Sequence, residues 1–461
     1  MSDKRVITRL FVANRGEIAV RLINACRKLG IATVIGVSEA DRDSLGAKLA
    51  DRAVCIGPAP AAQSYLRMET VVTAAVGTGC QALHPGYGFL AERAALARLC
   101  AEHDIIFVGP SPNAIDAMGD KLRARKLAAE LGVPTVPGTD RVRSSDDLLE
   151  FGRRAGYPFL VKASAGGGGR GMRVVRTPQE APAAFESASA EARAAFGDAT
   201  LYIERYIERA RHVEIQIIAD AHGTVVHLGE RDCSTQRRHQ KLIEEAPSPV
   251  VDESLRIRMA QAAVELARHV SYTNAGTVEF IIDVDAGQFY FLEMNTRIQV
   301  EHPVTEAISG VDLVVEQIRV ASGARLSFLQ QDVRLSGHAI ECRINAEIPE
   351  RGFQPSPGLI SMWRPPSGAG IRIDSHCYSG YFVPPFYDSM IGKLIVHGRD
   401  RSDAVARMRE ALAGFRIDGV STTIPFHQAV LAHPDFVQNR VTTRWVENNL
   451  IPELHQAESV T

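Results

Sequence analysis

The chain is 461 residues long, with 45% hydrophobic and 23% charged residues, and its 52 basic and 54 acidic side chains leave a formal net charge of -2. At roughly 100 to 200 residues per domain, this length suits about two to four domains with sizeable cores and excludes a disulfide-stapled mini-protein. The composition excludes wholesale disorder, and the near-neutral charge excludes the broad positive field of non-specific nucleic-acid binding.

In chain order, the sequence predicts a strand over Leu10 to Ala13, a turn at Asn14 to Gly16, a helix, and a second strand over Ile31 to Val37. In the helix, Ile18, Leu22, Ala25, Cys26 and Leu29 recur at helical spacing, and Gly30 stands where a left-handed cap ends it. Strand, crossover helix and strand form a βαβ unit, so residues 1–115 are expected to be a doubly wound, Rossmann-like α/β domain. Its turn ANRGE lacks GxGxxG, so a bound dinucleotide is not expected there.

From Ile115 a helix carries Met118, Leu122 and Leu127, and the prolines and glycine of VPTVPGTD mark a boundary. A helix over Asp146 to Arg154, the strand FLVKAS, a glycine-rich loop, a strand over Met172 to Val175, an Ala-rich helix and the strand LYIERYI follow. They read as a small α+β module inserted in a larger one. Two hairpins come next, and His212 to Ala219 alternates, with His212, Glu214 and Gln216 on one face and Val213, Ile215 and Ile217 on the other. Gly337 begins a third region, in which Ser402 to Phe415 supplies an amphipathic helix through Val405, Met408, Leu412 and Phe415.

The loop AGGGGRG, Ala165 to Gly171, is the densest glycine cluster in the chain. Without Cβ atoms its amides can close on phosphate oxygens, and Lys162 just before it favours a phosphate-covering flap over a bare surface hairpin. In the hairpin GTVEFIIDVDAGQFYFLEMN, pairing symmetric about Ala286 sets Glu279 opposite Glu293, with Asn295 on the same face. Facing carboxylates repel, and a divalent cation with hard oxygen ligands, such as Mg²⁺, offsets that repulsion. Two glutamates on a solvated face are the alternative, and a one-residue slip sends them to opposite faces.

The next segment, TRIQVEHPVTE, carries Arg297, Gln299, Glu301 and His302. A carboxylate beside an arginine near metal-bound phosphate can act as a base on a small anion, although the segment also suits an ordinary polar loop. The run RDCSTQRRHQKLIEE holds Gln236, Arg237, Arg238, His239 and Lys241 and otherwise reads as solvated surface. HAIECRINAE reads as a half-exposed strand that buries Ile340, Cys342 and Ile344 and shows Glu341, Arg343 and Asn345 on its other face. HPGYGFLAE, His84 to Glu92, is an aromatic turn whose spacing implies no role. Seven cysteines, scattered and without CxxC, point to reduced, mostly buried thiols. No apolar run approaches the roughly 20 residues that span a bilayer, and LFVA is too short for a signal peptide, so no membrane partner and a cytoplasmic location are expected.

These segments resemble biotin carboxylase, the ATP-grasp component of biotin-dependent carboxylases. VANRGEIAVR, HPGYGFLAE, MGDK, KASAGGGGRGM, RHVEIQ, ERDCSTQRRHQK, EMNTRIQVEHPVTE, ECRINAE and PPFYDSMIGKL stand in the family's order and spacing, from about Val6 to Asn448. The resemblance implies an ATP-grasp fold of mixed α/β and α+β class. Its parts would be a Rossmann-like N-terminal domain (1–115), an ATP-grasp domain (116–330) with a mobile lid over about 135–205, a C-terminal domain (331–448) and a tail (449–461). It implies ATP contacts at Lys121, Lys162, His212 and His239, lid glycines at Gly168 and Gly169, and an adenine edge at Glu204, Arg205, Tyr206 and Ile207. Glu279, Glu293 and Asn295 would hold Mg²⁺ or Mn²⁺, with Glu279 and Glu293 also at the ATP site. Lys241, Arg297, Gln299 and the Val300 backbone would bind bicarbonate, Glu301 would be the base, and Arg343 would face the biotin ureido oxygen.

Four positions depart from the family pattern: Ala165, Arg205, Thr235 and Asn274, the last replacing a frequent glycine that a left-handed turn can spare. The implied reaction is ATP-dependent carboxylation of biotin through carboxyphosphate, as the first half of acetyl-CoA or another acyl-CoA carboxylase. The alternatives are the corresponding component of a pyruvate carboxylase, another ATP-grasp carboxylate ligase and a nucleotide-sensing subunit. The implied partners are a biotin carboxyl carrier protein, carboxyltransferase subunits and a second copy of the chain. Since no MKM occurs and only LIPELHQAESVT follows the match, the carrier is expected in trans.

Overall fold

Alternating short apolar strands and amphipathic helices build the first layer. The computed structural model describes residues 6–164 and 172–460; the glycine loop, with Ala165, Gly168 and Gly169, lies outside the described residues. Strands β1 (Arg9–Val12), β2 (Ala32–Ser38), β3 (Arg52–Gly57), β4 (Ala82–His84) and β5 (Ile106–Phe107) form a parallel sheet in the order β3-β2-β1-β4-β5. That order is the doubly wound arrangement expected of a βαβ start. The first helix, Gly16–Lys28, buries Ile18, Leu22, Ala25 and Cys26, and Gly30 follows at φ +69.

The second layer is an antiparallel sheet of β6 (Gly138–Val142), β7 (Phe159–Ala163), β8 (Arg173–Val175) and β9 (Leu201–Arg205), in the order β6-β9-β7-β8. Helices Ser145–Ala155 and Ala181–Phe196 pack on it around a core of its own, where Leu148, Phe151, Ala184 and Ala188 meet Phe159, Val161 and Ile203. Alanines let the second helix approach the strands closely. β9 ends at Arg205, so Tyr206 and Ile207 of the expected strand LYIERYI lie beyond it.

The third layer is an eight-stranded antiparallel sheet. β10 (Ala210–Ala219), β11 (Val225–Arg237), β12 (Gln240–Ala246), β13 (Asn274–Asp283), β14 (Gln288–Asn295) and β15 (His338–Asn345) run in the order β14-β13-β10-β11-β12-β15, followed by Met390–Gly398 and Ile371–Ser375. Val213, Ile215 and Ile217 pack with Val278 and Phe280 against helix Glu253–His269, as the alternation of β10 requires. Helix Arg401–Gly414 covers the far end of the sheet with Val405, Met408 and Leu412.

This sheet runs continuously across the expected boundary at 330/331, because β15 pairs with β12 from Ile243↔Cys342 to Ala246↔Ala339. β15 departs from its half-exposed expectation at Glu341, while Arg343 and Asn345 on the same face stay partly exposed. Helix His302–Ser309 packs over its polar face, so Glu341 is 0% exposed. Alternation revealed two different faces but could not tell whether the second was wet. Six of the seven cysteines are buried, all are free thiols, and among the described residues no helix is long and apolar enough to cross a membrane.

Candidate active site

A cavity of about 620 Å³ opens between the small four-stranded sheet and the polar face of the large one. Its volume lies within the range of small-molecule sites. Lys121, Lys162, Glu204 to Ile207, His212, His239, Lys241, Glu279, Glu293, Asn295, Arg297, Gln299, Val300 and Arg343 all line it. The fold thus gathers these sequence-predicted residues at one place; Glu301 lies just behind the wall, 0% exposed.

The hairpin β13–β14 sets Glu279 opposite Glu293, but by a route that the symmetric pairing did not foresee. At its turn Asp283 pairs with Gln288, a register that would have carried Glu279 to Leu292. A bulge between Glu279 and Phe280 takes up the extra residue Leu292 and restores the facing pair. Glu279 accepts from Asn295 Nδ2 at 2.9 Å, Gln299 Nε2 at 3.0 Å and Lys241 Nζ at 2.9 Å, and it faces His212 Nε2 at 3.0 Å. Burial pushes its pKa upward, but Lys241 and His212 more than offset this and hold it well below the usual carboxylate range. Glu293 lies at the cavity wall, 2.7 Å from Lys121 Nζ.

Lys241 is the centre of the site's electrostatics. Its ammonium lies 2.7 Å from Glu214, 2.9 Å from Glu279 and 2.7 Å from Glu301. It reaches them from a tight β11–β12 turn in which Arg238 and His239 both take positive φ, 48 and 64. Glu301 is also bound by Arg343 Nη2 at 3.0 Å. Although burial opposes its charge, Lys241, Arg343 and Arg231 draw its pKa well below the ordinary value. Glu214 is held from behind by fully buried Arg231 at 2.6 Å, which also donates to Gln216, Thr277 and Thr305. Arg343 is fixed by Glu244 at 2.6 Å, whose carboxyl is pushed up to about 7, chiefly by burial.

The hard oxygens of Glu279 and Glu293, with the Asn295 amide, fit a divalent cation. His212, Glu214 and Glu279 also bring ligand atoms within 4.8 Å of one another. Imidazole is a poor ligand for Mg²⁺, so the all-oxygen hairpin pair suits that ion better.

At the other end of the cavity, Glu204 pairs with Lys162 at 2.6 Å and with Arg125. Arg205, one of the four departures, reaches Asp283 at 2.6 Å and ties the small module to the β13–β14 hairpin. Asn274 adopts φ +74, the left-handed backbone its glycine-like position requires, and its amide exchanges hydrogen bonds with Gln317. Thr235 is buried next to an irregularity in the β11–β12 pairing.

Sequence reasoning missed Glu92, Glu214, Arg231 and Glu244. Glu92 ends the HPGYGFLAE motif, and its carboxylate accepts from Arg297 Nε at 2.9 Å and from the Thr296 amide at 3.1 Å. Arg297 is thereby oriented to donate to Gln299 at 2.6 Å and Asn295 at 3.1 Å. The motif is visible in the sequence, but no spacing links positions 205 residues apart. Glu214 did carry a signal, sharing the polar face of β10 with His212.

Three family models match the chain: the N-terminal domain of biotin carboxylase over residues 6–115, the ATP-binding domain of the carbamoyl-phosphate synthase L chain over 120–329, and the C-terminal domain of biotin carboxylase over 341–448. A biotin carboxylase from Nostoc sp. is 56% identical over 440 residues, 95% of this chain and 98% of that protein. A pyruvate carboxylase subunit from Methanothermobacter thermautotrophicus is 53% identical, covering 96% of this chain and 90% of its own. Among solved structures, the biotin carboxylase domain of Hydrogenobacter thermophilus 2-oxoglutarate carboxylase, a dimer with MgADP, ADP and bicarbonate, superposes with a TM-score of 0.91 at 48% identity, covering 96% and 98% of the two chains.

Proposed function

Since the chain belongs to the biotin carboxylase family of ATP-grasp ligases, we propose that it uses ATP and bicarbonate to carboxylate biotin carried on a separate protein. The observation that carries the residue roles is the convergence of Glu301, Lys241, Arg343 and the Glu279–Glu293 hairpin on one cavity.

Lys121, Lys162, His212 and His239 contact ATP, with Glu204, Arg205, Tyr206 and Ile207 at the base and the 165–171 loop, including Gly168 and Gly169, over the phosphates. Glu279, Glu293 and Asn295 would hold Mg²⁺ or Mn²⁺, which when bound neutralises phosphate charge. Bicarbonate sits among Lys241, Arg297, Gln299 and the Val300 amide. Lys241 and Arg343 keep Glu301 ionised and so in its proton-accepting form. An anion that competes for Lys241 loosens that hold and raises the basicity of Glu301 as its proton is needed.

Glu301 then takes the bicarbonate proton, and the bicarbonate oxygen attacks the γ-phosphorus, releasing ADP and leaving carboxyphosphate. Breakdown to carbon dioxide and phosphate gives the phosphate an oxygen that accepts the biotin N1 proton. Arg343 faces the ureido oxygen as negative charge develops there, and the nitrogen attacks carbon dioxide.

We assign three domains, 1–115, 116–330 with a lid over about 135–205, and 331–448, that close on this cavity. The chain acts as a homodimer, by analogy with the dimeric Hydrogenobacter domain. A carboxyltransferase chooses the final acceptor, and relatives at 53% and 48% identity serve pyruvate and 2-oxoglutarate. The finer proposal is an acyl-CoA carboxylase such as acetyl-CoA carboxylase, with a pyruvate or other biotin-dependent carboxylase as the alternative. Purified chain should hydrolyse ATP in a bicarbonate-dependent manner and should transfer label from ¹⁴C-bicarbonate to a biotinylated carrier. ATP turnover indifferent to bicarbonate would refute the proposal.

A further inference from the structure

Lys393 has no part in the chemistry assigned above, yet it is 0% exposed beside it. It stands on Met390–Gly398 directly opposite Arg343, so two cations face each other across adjacent strands. A buried ammonium persists only when it is paired and hydrogen-bonded. Its partners come from three separate stretches of chain. Lys393 Nζ donates to the Val300 carbonyl at 2.8 Å, meets Glu17 of the first helix at 3.0 Å, and lies 3.8 Å from Asp374 on the neighbouring strand. Burial works against its charge, but Glu17, Glu341 and Asp374 together raise its pKa above that of an ordinary lysine. Glu17 in turn accepts from Tyr87, which lines the cavity.

The Val300 oxygen belongs to the planar peptide that joins Val300 to Glu301. Fixing that oxygen fixes the rotation of the plane and so the direction in which Glu301 leaves the backbone. Side chains hold much of this turn, through Glu92 to Arg297, Glu279 to Gln299, and Lys241 and Arg343 to Glu301, but its own backbone hydrogen bonds are long. His302 N to Gln299 O is 3.4 Å and Val304 N to Glu301 O is 3.3 Å, both long, while His302 Nδ1 lies 2.8 Å from Gln299 O.

We infer that Lys393, clamped by Glu17, is a positioning residue for the bicarbonate end of the site, acting through the Val300 carbonyl to aim Glu301. The inference rests on the proposed role of Glu301. It makes the site complete only when the first helix, the 296–301 loop and the Met390–Gly398 strand are docked together.

Steady-state kinetics on Lys393→Met and Glu17→Gln test it, with KM measured separately for bicarbonate and MgATP. In Lys393→Met the KM for bicarbonate should rise roughly tenfold or more and kcat should fall, with the KM for MgATP changed by less than about twofold. Glu17→Gln, which keeps the ammonium and can still accept from it, should show the same split at smaller size. A merely structural lysine would lower the melting temperature and the active fraction and leave both KM values of the surviving enzyme unchanged, and that result overturns the inference. If Lys393→Met does not fold, Glu17→Gln decides alone: KM values that do not split overturn it. Wild-type chain without bicarbonate-dependent turnover overturns the functional reading and this inference with it, whereas active wild type with unsplit KM values overturns the inference only.

Discussion

Lys241 shares one positive charge among Glu214, Glu279 and Glu301, so each carboxylate is only partly compensated by it. This sharing leaves Glu301 ionised yet responsive to an arriving anion, which is what a base for bicarbonate needs. Glu301→Gln removes the proton acceptor and keeps the shape, so bicarbonate-dependent turnover should fall by about 10² to 10⁴ while ATP affinity barely moves. Near-normal turnover would sink the assignment of Glu301 as base. Glu293 works at the same scale. Its partner in the structure is Lys121 at 2.7 Å, and it faces Glu279 across the hairpin. Glu293→Gln should therefore raise the Mg²⁺ concentration needed for half-maximal activity at fixed ATP. An unchanged metal titration would leave no role for this carboxylate in holding the ion.

At the scale of elements, local irregularities position the chemistry. One bulge on β14 returns Glu293 to Glu279, and one tight turn with two left-handed residues brings Lys241 back under β11. Strands are also joined by charge. Glu245 on β12 accepts from Arg401 of helix Arg401–Gly414 at 2.6 Å and meets His338 of β15 at 2.8 Å. Burial acts to raise its pKa, but His338 and Arg401 lower it from 4.5 to about 2. Because the folded value lies below the unfolded one, this stabilisation is fully present above the unfolded pKa. It is lost as pH falls from there toward about 2. Its upper size is roughly 3 kcal/mol. Glu245→Gln should thus destabilise the protein by up to about this amount at pH 7 and much less near pH 2 to 3. Urea unfolding at the two pH values checks it, and a difference independent of pH would refute it.

For the whole molecule, the decisive feature is that segments far apart in the chain complete one cavity. Glu92 from the first layer orients Arg297, Arg205 ties the small module to the β13–β14 hairpin, and β15 brings Arg343 from beyond residue 330 to Glu301. Much of this architecture was legible in the sequence, because secondary structure follows periodicities of two and 3.6 residues and loops follow glycine and proline. The βαβ start, the inserted module, the facing glutamates and the motif order all rest on such local signals. The sequence by itself therefore determined the elements, their order and the residue types at the site. Tertiary structure alone decided that Glu341 on the polar face of β15 is buried, that a bulge rather than a symmetric turn sets the Glu279–Glu293 register, and that Lys241 serves three carboxylates. The physical reason is that burial and Coulomb coupling depend on distances through space, which the folded chain creates between residues that no sequence spacing relates.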